Sequence, residues 1–146
     1  MKLVDANVLL YAVNEDADHH DAARTWLDAA LSGQETVAFA WVALLAFVRL
    51  TTKDGLFPRP LTVSEAMSRV DAWLAAGPAV VVGPTSDHAH VLHRLLSDVG
   101  TGGNLVNDAH LAALALQHRC DIASFDNDFD RFEGVEWFRP PQPSQG

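Results

Sequence analysis

Short apolar runs of strand length alternate along this chain with longer segments in which apolar residues return every three to four positions. That alternation is the strongest constraint on the fold, because strands separated by helices build a mostly parallel sheet covered on both faces. Lys2 to Val4, Thr36 to Ala40, Ala79 to Val82 and Asp121 to Phe125 read as strands, and Val135 to Phe138 suits an edge strand. Ala22, Ala23, Trp26, Leu27, Ala30 and Leu31 recur at helical spacing, with Gly33 as a stop. Trp41 to Leu50 is apolar almost all round and reads as a buried helix. Thr62-Val63-Ser64-Glu65 has the pattern of a capping box, opening a helix that buries Ala66, Val70, Trp73 and Leu74. Leu92, Leu95, Leu96 and Val99 mark another helix, and Gly102-Gly103-Asn104 forms a turn before the helix Leu105 to His118. The expected fold is α/β, a three-layer α/β/α domain with a central, mostly parallel sheet. The 146 residues suit one domain, placed at residues 1–139, with residues 140–146 as a disordered tail rich in Pro, Gln, Ser and Gly.

Charge and cysteine content narrow the function. The formal net charge is −9, which argues against a protein that grips nucleic acid with a broad basic surface. Such a balance still allows RNA held through metal ions, or a tight complex with a basic protein. The single cysteine, Cys120, excludes an internal disulfide, fits a reducing compartment, and reads as a small core residue. Asp5 interrupts any signal-peptide core, and the longest apolar run, Val37 to Val48, is too short to span a bilayer. The expected location is cytoplasmic, with no membrane partner.

The chemistry gathers on aspartates. In open parallel sheets, ligands bind beyond the carboxyl ends of the strands. Two of the expected strands end on Asp5 and Asp126, and Asp108 opens a helix that should pack beside them. Three carboxylates at one sheet edge repel each other and persist where a cation neutralises them; oxygen ligands favour Mg²⁺ or Mn²⁺. Each residue also has a structural reading. Asp5 and Asp126 suit the caps of the turns that follow them, and Asp108 suits a helix N-terminus.

Four segments carry a resemblance: Leu3 to Ala12 (LVDANVLLYA), Trp41 to Thr52 (WVALLAFVRLTT), Gly102 to His118 (GGNLVNDAHLAALALQH) and Asp121 to Phe132 (DIASFDNDFDRF). In this order and context the chain resembles the PIN-domain ribonucleases, and among them the VapC toxins of toxin–antitoxin pairs. The resemblance implies an endoribonuclease that hydrolyses RNA phosphodiester bonds with metal-activated water and leaves a 5′-phosphate. It implies that Asp5 and Asp108 bind Mg²⁺ directly, with Mn²⁺ as a substitute, and that Asp126 completes the catalytic cluster. It further implies a homodimer and a cognate VapB-like antitoxin that presents an arginine to the carboxylates.

Other residues are assigned around that core. Asn7 stands where the family often has a small polar residue that orients the first carboxylate or the substrate. Asn104 and Asn107 are placed to cap the helix of Asp108, with substrate contact as the alternative. Arg49, Lys53 and Arg59 are the candidate RNA-binding cations. The family often has a glutamate one residue before the phenylalanine of the second motif; here that position is Ala46. Asp128, two residues past Asp126, is the candidate replacement. Without one, the chain reads as a degenerate, non-catalytic binding module. Other chemistries are weaker. His19, His20, His88, His90 and His93 lack paired zinc-site spacing. Ser86 and Ser124 have no evident base. An aspartyl-phosphate phosphatase wants an aspartate where Asn7 stands.

Overall fold

The computed structural model describes residues 1–144. The chain runs β1 (Lys2–Val4), α1 (Ala6–Val13), α2 (His20–Leu31), β2 (Val37–Phe39), α3 (Trp41–Thr52), α4 (Val63–Ala75), β3 (Ala79–Val81), α5 (His88–Val99), α6 (Val106–His118), β4 (Asp121–Ala123) and β5 (Trp137–Phe138). A 3₁₀ turn, Gly103–Leu105, leads into α6, and another, Asn127–Arg131, follows β4. Residues 145 and 146 of the expected tail lie outside the described residues.

The strand order is β3-β2-β1-β4-β5, and every pair is parallel. The chain builds outward from β1 to β2 and β3, then crosses back to place β4 on the other side of β1. The direction of winding therefore reverses between β1 and β4, whose carboxyl ends form the topological switch point of this sheet. Lys2, Leu3 and Val4 lie in register with Asp121, Ile122 and Ala123, so the residues that follow the two strands emerge side by side.

Alternation along the strands divides the core. Leu3, Ala38 and Ile122 face a layer that includes Leu95 of α5 and Leu111 and Leu114 of α6. Val4, Val37, Phe39 and Ala123 face the other layer, with Leu9 of α1, Leu27 of α2, Phe47 of α3 and Trp73 of α4. The period of two along each strand sends neighbours to opposite faces, giving the three-layer α/β/α arrangement. Cys120 is buried in the first cluster.

Two local expectations change. Helix α3 is not buried all round: Trp41 is 46 % and Leu45 61 % exposed, because α3 packs against α1 and α4 and leaves its remaining side bare. Nor do Asn104 and Asn107 cap α6. Its N-cap is Leu105, with no side-chain cap bond. The preceding 3₁₀ turn already supplies carbonyl partners, Gly102 to the Leu105 amide and Gly103 to the Val106 amide, leaving both asparagines exposed. The capping box of α4 is present, with Thr62 and Glu65 exchanging side-chain to backbone bonds of 3.0 and 3.1 Å. Gly100, at φ 79°, closes α5 in the left-handed conformation that glycine tolerates best.

Candidate metal centre

The parallel register of β1 and β4 brings Asp5 beside the Ser124–Asp126 segment. The Asp5 amide donates to the Ala123 carbonyl (3.0 Å), extending the ladder one residue past the strand. Beyond it the chain turns into α1, and Asp5 caps that helix by accepting from the Ala6 amide (2.8 Å). The other carboxylate oxygen of Asp5 accepts from the Ser124 hydroxyl at 2.7 Å. Ser124 is fully buried, and its oxygen also accepts from the Asn7 amide nitrogen (3.2 Å) and the Asp126 backbone amide (3.0 Å). Asn7 completes the lock, its side-chain oxygen accepting from the Phe125 amide (3.1 Å). Four short bonds thus tie the start of α1 to the end of β4. Asp126 is fixed in turn by accepting from the Asp128 amide (2.9 Å), which opens the second 3₁₀ turn.

On this frame, carboxylate oxygens of Asp108, Asp126 and Asp128 come within 4.8 Å of one another. Asp108 projects from the first turn of α6. All three are half-buried. No other group of three His, Cys, Asp or Glu side chains with such spacing occurs among the described residues. Asp5 stands beside the trio rather than within it, yet its charge acts on the same group. Burial is the main cause pushing the Asp108 carboxyl up to about 7, followed by the charges of Asp5, Asp126 and Asp128. Burial also raises the Asp5 carboxyl, with the Asp126 charge adding to it, against the bonds from Ser124 and Ala6 that favour its ionised form. Among the described residues, no lysine or arginine pairs with any of these aspartates. The donor set is all carboxylate, which suits a hard divalent cation rather than zinc or copper.

The candidate RNA-binding cations lie on α3 and the loop that follows it. Arg49 is exposed on the last turn of α3, Lys53 is the exposed residue that ends that helix, and Arg59 is exposed in the loop beyond. Along α3 alone, Arg49 lies about 12 Å from Trp41 at ~1.5 Å per residue. The guanidinium that the structure ties to the site is Arg139, which donates to the Phe125 carbonyl (3.3 Å) and the Asn127 side chain (2.9 Å). Sequence reading missed it because it follows β5, far along the chain from Asp126. In sequence Ser124 reads only as a nucleophile without a base; the signal of its structural role is a polar residue inside a buried apolar run. The Ala46 side chain is half-buried on α3. The ring of His88 bonds His110 (2.8 Å) and Gln117 (3.0 Å), while His90 and His93 are exposed.

Comparison with known proteins places the chain in a family. The family model described as PIN domain matches residues 2–135. The sequence is 64 % identical to Ribonuclease VapC37 of Mycobacterium tuberculosis over 141 residues, covering 97 % of this chain and 98 % of that protein. Among solved structures, the fold matches VapBC2 of Rickettsia felis bound to a promoter DNA fragment, with a TM-score of 0.68 and 17 % identity. That match covers 94 % of this chain and 97 % of the other. It also matches a toxin–antitoxin complex from Klebsiella pneumoniae, with a TM-score of 0.61 at 15 % identity, over 98 % of this chain and 100 % of the other.

Proposed function

This chain belongs to the PIN domain family and is a VapC-type ribonuclease toxin of a toxin–antitoxin system, and from that premise we propose that it cleaves RNA with Mg²⁺ held by Asp108, Asp126 and Asp128. Mn²⁺ substitutes for Mg²⁺. The observation that carries the reading is the trio of carboxylates within 4.8 Å, with no lysine or arginine ion-paired to it among the described residues. When bound, a divalent cation supplies charge to the phosphoryl oxygens and acidifies water for attack.

The protein's own groups do the rest. Asp5 adds a fourth negative charge facing the trio, held in place by Ser124. Ser124 and Asn7 keep the Asp5 side chain and the Asp126 main chain in fixed relation, so the carboxylates are arranged before substrate arrives. Asp108, with its carboxyl near 7, gives up its proton as positive charge enters the site. Arg139, held at the rim by Phe125 and Asn127, faces an RNA phosphate that the acidic whole would otherwise repel. Asp128 supplies the acid that Ala46 lacks, which favours a catalytic domain over a degenerate binding module. The chain acts in the cytoplasm as a homodimer and is silenced by a basic VapB-like antitoxin covering the carboxylates, a partner that the net charge of −9 suits.

Incubating the purified chain with single-stranded and structured RNAs tests the reading. Cleavage should require Mg²⁺ or Mn²⁺, stop with EDTA, and leave ends that a 5′-phosphate-dependent exonuclease degrades. Undiminished cleavage in EDTA would contradict it.

A further inference from the structure

Three aromatic rings meet around Phe125, the residue that precedes Asp126 in the chain. Phe125 sits between Ser124 and Asp126. Tyr11 lies one helical turn after Asn7 on α1, on the same face. His19 precedes α2. The ring of His19 stacks on that of Phe125, with centroids 4.5 Å apart and planes at 17°. Tyr11 meets both, its ring 5.4 Å from Phe125 in an edge-on contact and 5.6 Å from His19. All three side chains are half-buried, so part of the cluster reaches solvent.

The two adjacent histidines behave differently. His20 bonds the Tyr11 carbonyl through Nδ1 (2.8 Å), which pins the start of α2 to α1. His19 is the N-cap residue of α2, yet its side chain makes no cap bond, and neither ring nitrogen has a hydrogen-bond partner among the described residues. It is a polar ring held in one orientation by stacking, with its donor and acceptor unused, one residue along the contact chain from a metal-ligand aspartate. Core packing explains the ring of Phe125, which joins the second apolar cluster, but not a histidine laid over it.

We propose that His19, backed by Phe125 and Tyr11, stacks against the RNA base that flanks the cleaved phosphate. The proposal rests on the assignment of the carboxylates as the cleavage site. A nucleotide whose phosphate lies at the aspartates carries its base onto the neighbouring surface, and single-stranded RNA is recognised by such aromatic and histidine faces. The unused ring nitrogens of His19 lie in the plane of the ring, free to bond the sugar or phosphate alongside a stacked base. Because stacking and the His20 bond fix the ring beforehand, little ordering is needed on binding.

Single-turnover cleavage of a short single-stranded RNA, with protein concentration varied, separates binding from chemistry. His19→Ala should raise the half-saturating concentration about tenfold while changing the limiting rate by less than about twofold. His19→Phe keeps the stack and should stay within about threefold of the parent. The same RNA made abasic at the flanking position should weaken the parent by the tenfold factor and His19→Ala by no further amount. That loss of additivity is one a merely structural His19 cannot give. Parent-like saturation by His19→Ala, or an abasic penalty as large in the variant as in the parent, would overturn the proposal. If the parent cleaves no RNA, the carboxylate assignment fails instead. Fluorescence anisotropy with the same RNA then decides the stacking alone, and equal binding by parent and His19→Ala would overturn it.

Discussion

The two ends of strands β1 and β4 carry the same kind of side chain and treat it in opposite ways. At the amino end, Lys2 lies 3.1 Å from Asp121 and 3.5 Å from Glu35, and the terminal amine lies 3.3 Å from Glu35. The bond from the terminal amine, with Lys2 behind it, holds the Glu35 carboxyl below its ordinary range. The bond to Asp121 holds the Lys2 ammonium above its own, against the desolvation it suffers. At the carboxyl end, Asp5 and Asp108 shift the other way, because burial and neighbouring aspartates act on them and, among the described residues, no lysine or arginine pairs with them. Acids at one end are satisfied by the chain itself. Acids at the other are arranged, by Ser124 and Asn7, into a state that the chain leaves unsatisfied. Folding alone gains nothing from such a cluster, so its construction points to a cation from outside.

The largest expected effect removes a charge from the unsatisfied end. Asp108→Asn should lower RNA cleavage about 10³-fold, the equivalent of several kcal/mol of lost transition-state stabilisation. It should not destabilise the metal-free protein at pH 8. The folded Asp108 carboxyl, at about 7, lies above its unfolded value of 3.8, so the unfolded chain releases that proton first. Metal-free stability attributable to Asp108 therefore falls as pH rises from about 4 to about 7, and Asp108→Asn should flatten that fall in melting temperature. A variant melting well below the parent at pH 8 would mean that Asp108 serves only the N-terminus of α6.

The next effect tests the frame. Ser124→Ala removes the bond to Asp5 and the acceptor for Asn7 and Asp126, and should cost about 1–3 kcal/mol in denaturant unfolding. Cleavage should fall about 10–100-fold, as for other groups that orient metal ligands. Smaller again is the contrast between two positions offered for the missing acid. Asp128→Asn should weaken Mg²⁺ binding about tenfold by calorimetry, whereas Ala46→Glu should leave it near the parent value. Clear tightening by Ala46→Glu would show that the trio lacks a ligand. The smallest effect belongs to the satisfied end. Asp121→Asn should cost about 0.2–1 kcal/mol, shrink in high salt, and leave cleavage unchanged.

Much of the fold was legible because its signals are local. Period-two and period-3.6 patterns found the strands and helices, and two aspartates that close strand-like runs marked the edge where the sheet reverses. What was hidden depends on contacts between distant segments or on weak local chemistry. The exposed side of α3 shows only when its neighbours are known, since Trp41 and Leu45 look like core in sequence. Helix α6 ends on Arg119 at φ 56°, a left-handed position with no glycine to announce it. Asn104 and Asn107 look like caps, yet a 3₁₀ turn had already supplied the carbonyl partners. Within the site, the pairing of Asp126 with Asp128 follows from that residue's own tight turn. The join of Asp5, Asn7 and Ser124 requires β1 and β4 to lie side by side, and Arg139 enters only because β5 extends the sheet.

The central claim is that the unsatisfied end holds a cation, and proton release on binding measures it most directly. The Asp108 carboxyl, pushed up to about 7, holds its proton far above the ordinary carboxylate range, and a cation entering the trio displaces that proton. Calorimetric titration of Mg²⁺ into the metal-free chain, repeated in buffers of different ionisation enthalpy, counts the protons released. The account predicts proton release on Mg²⁺ binding at pH 7, falling away as the pH is raised above the Asp108 carboxyl, and clearly less release in Asp108→Asn. Mg²⁺ binding with no proton release at pH 7, or the same release in Asp108→Asn, would contradict it.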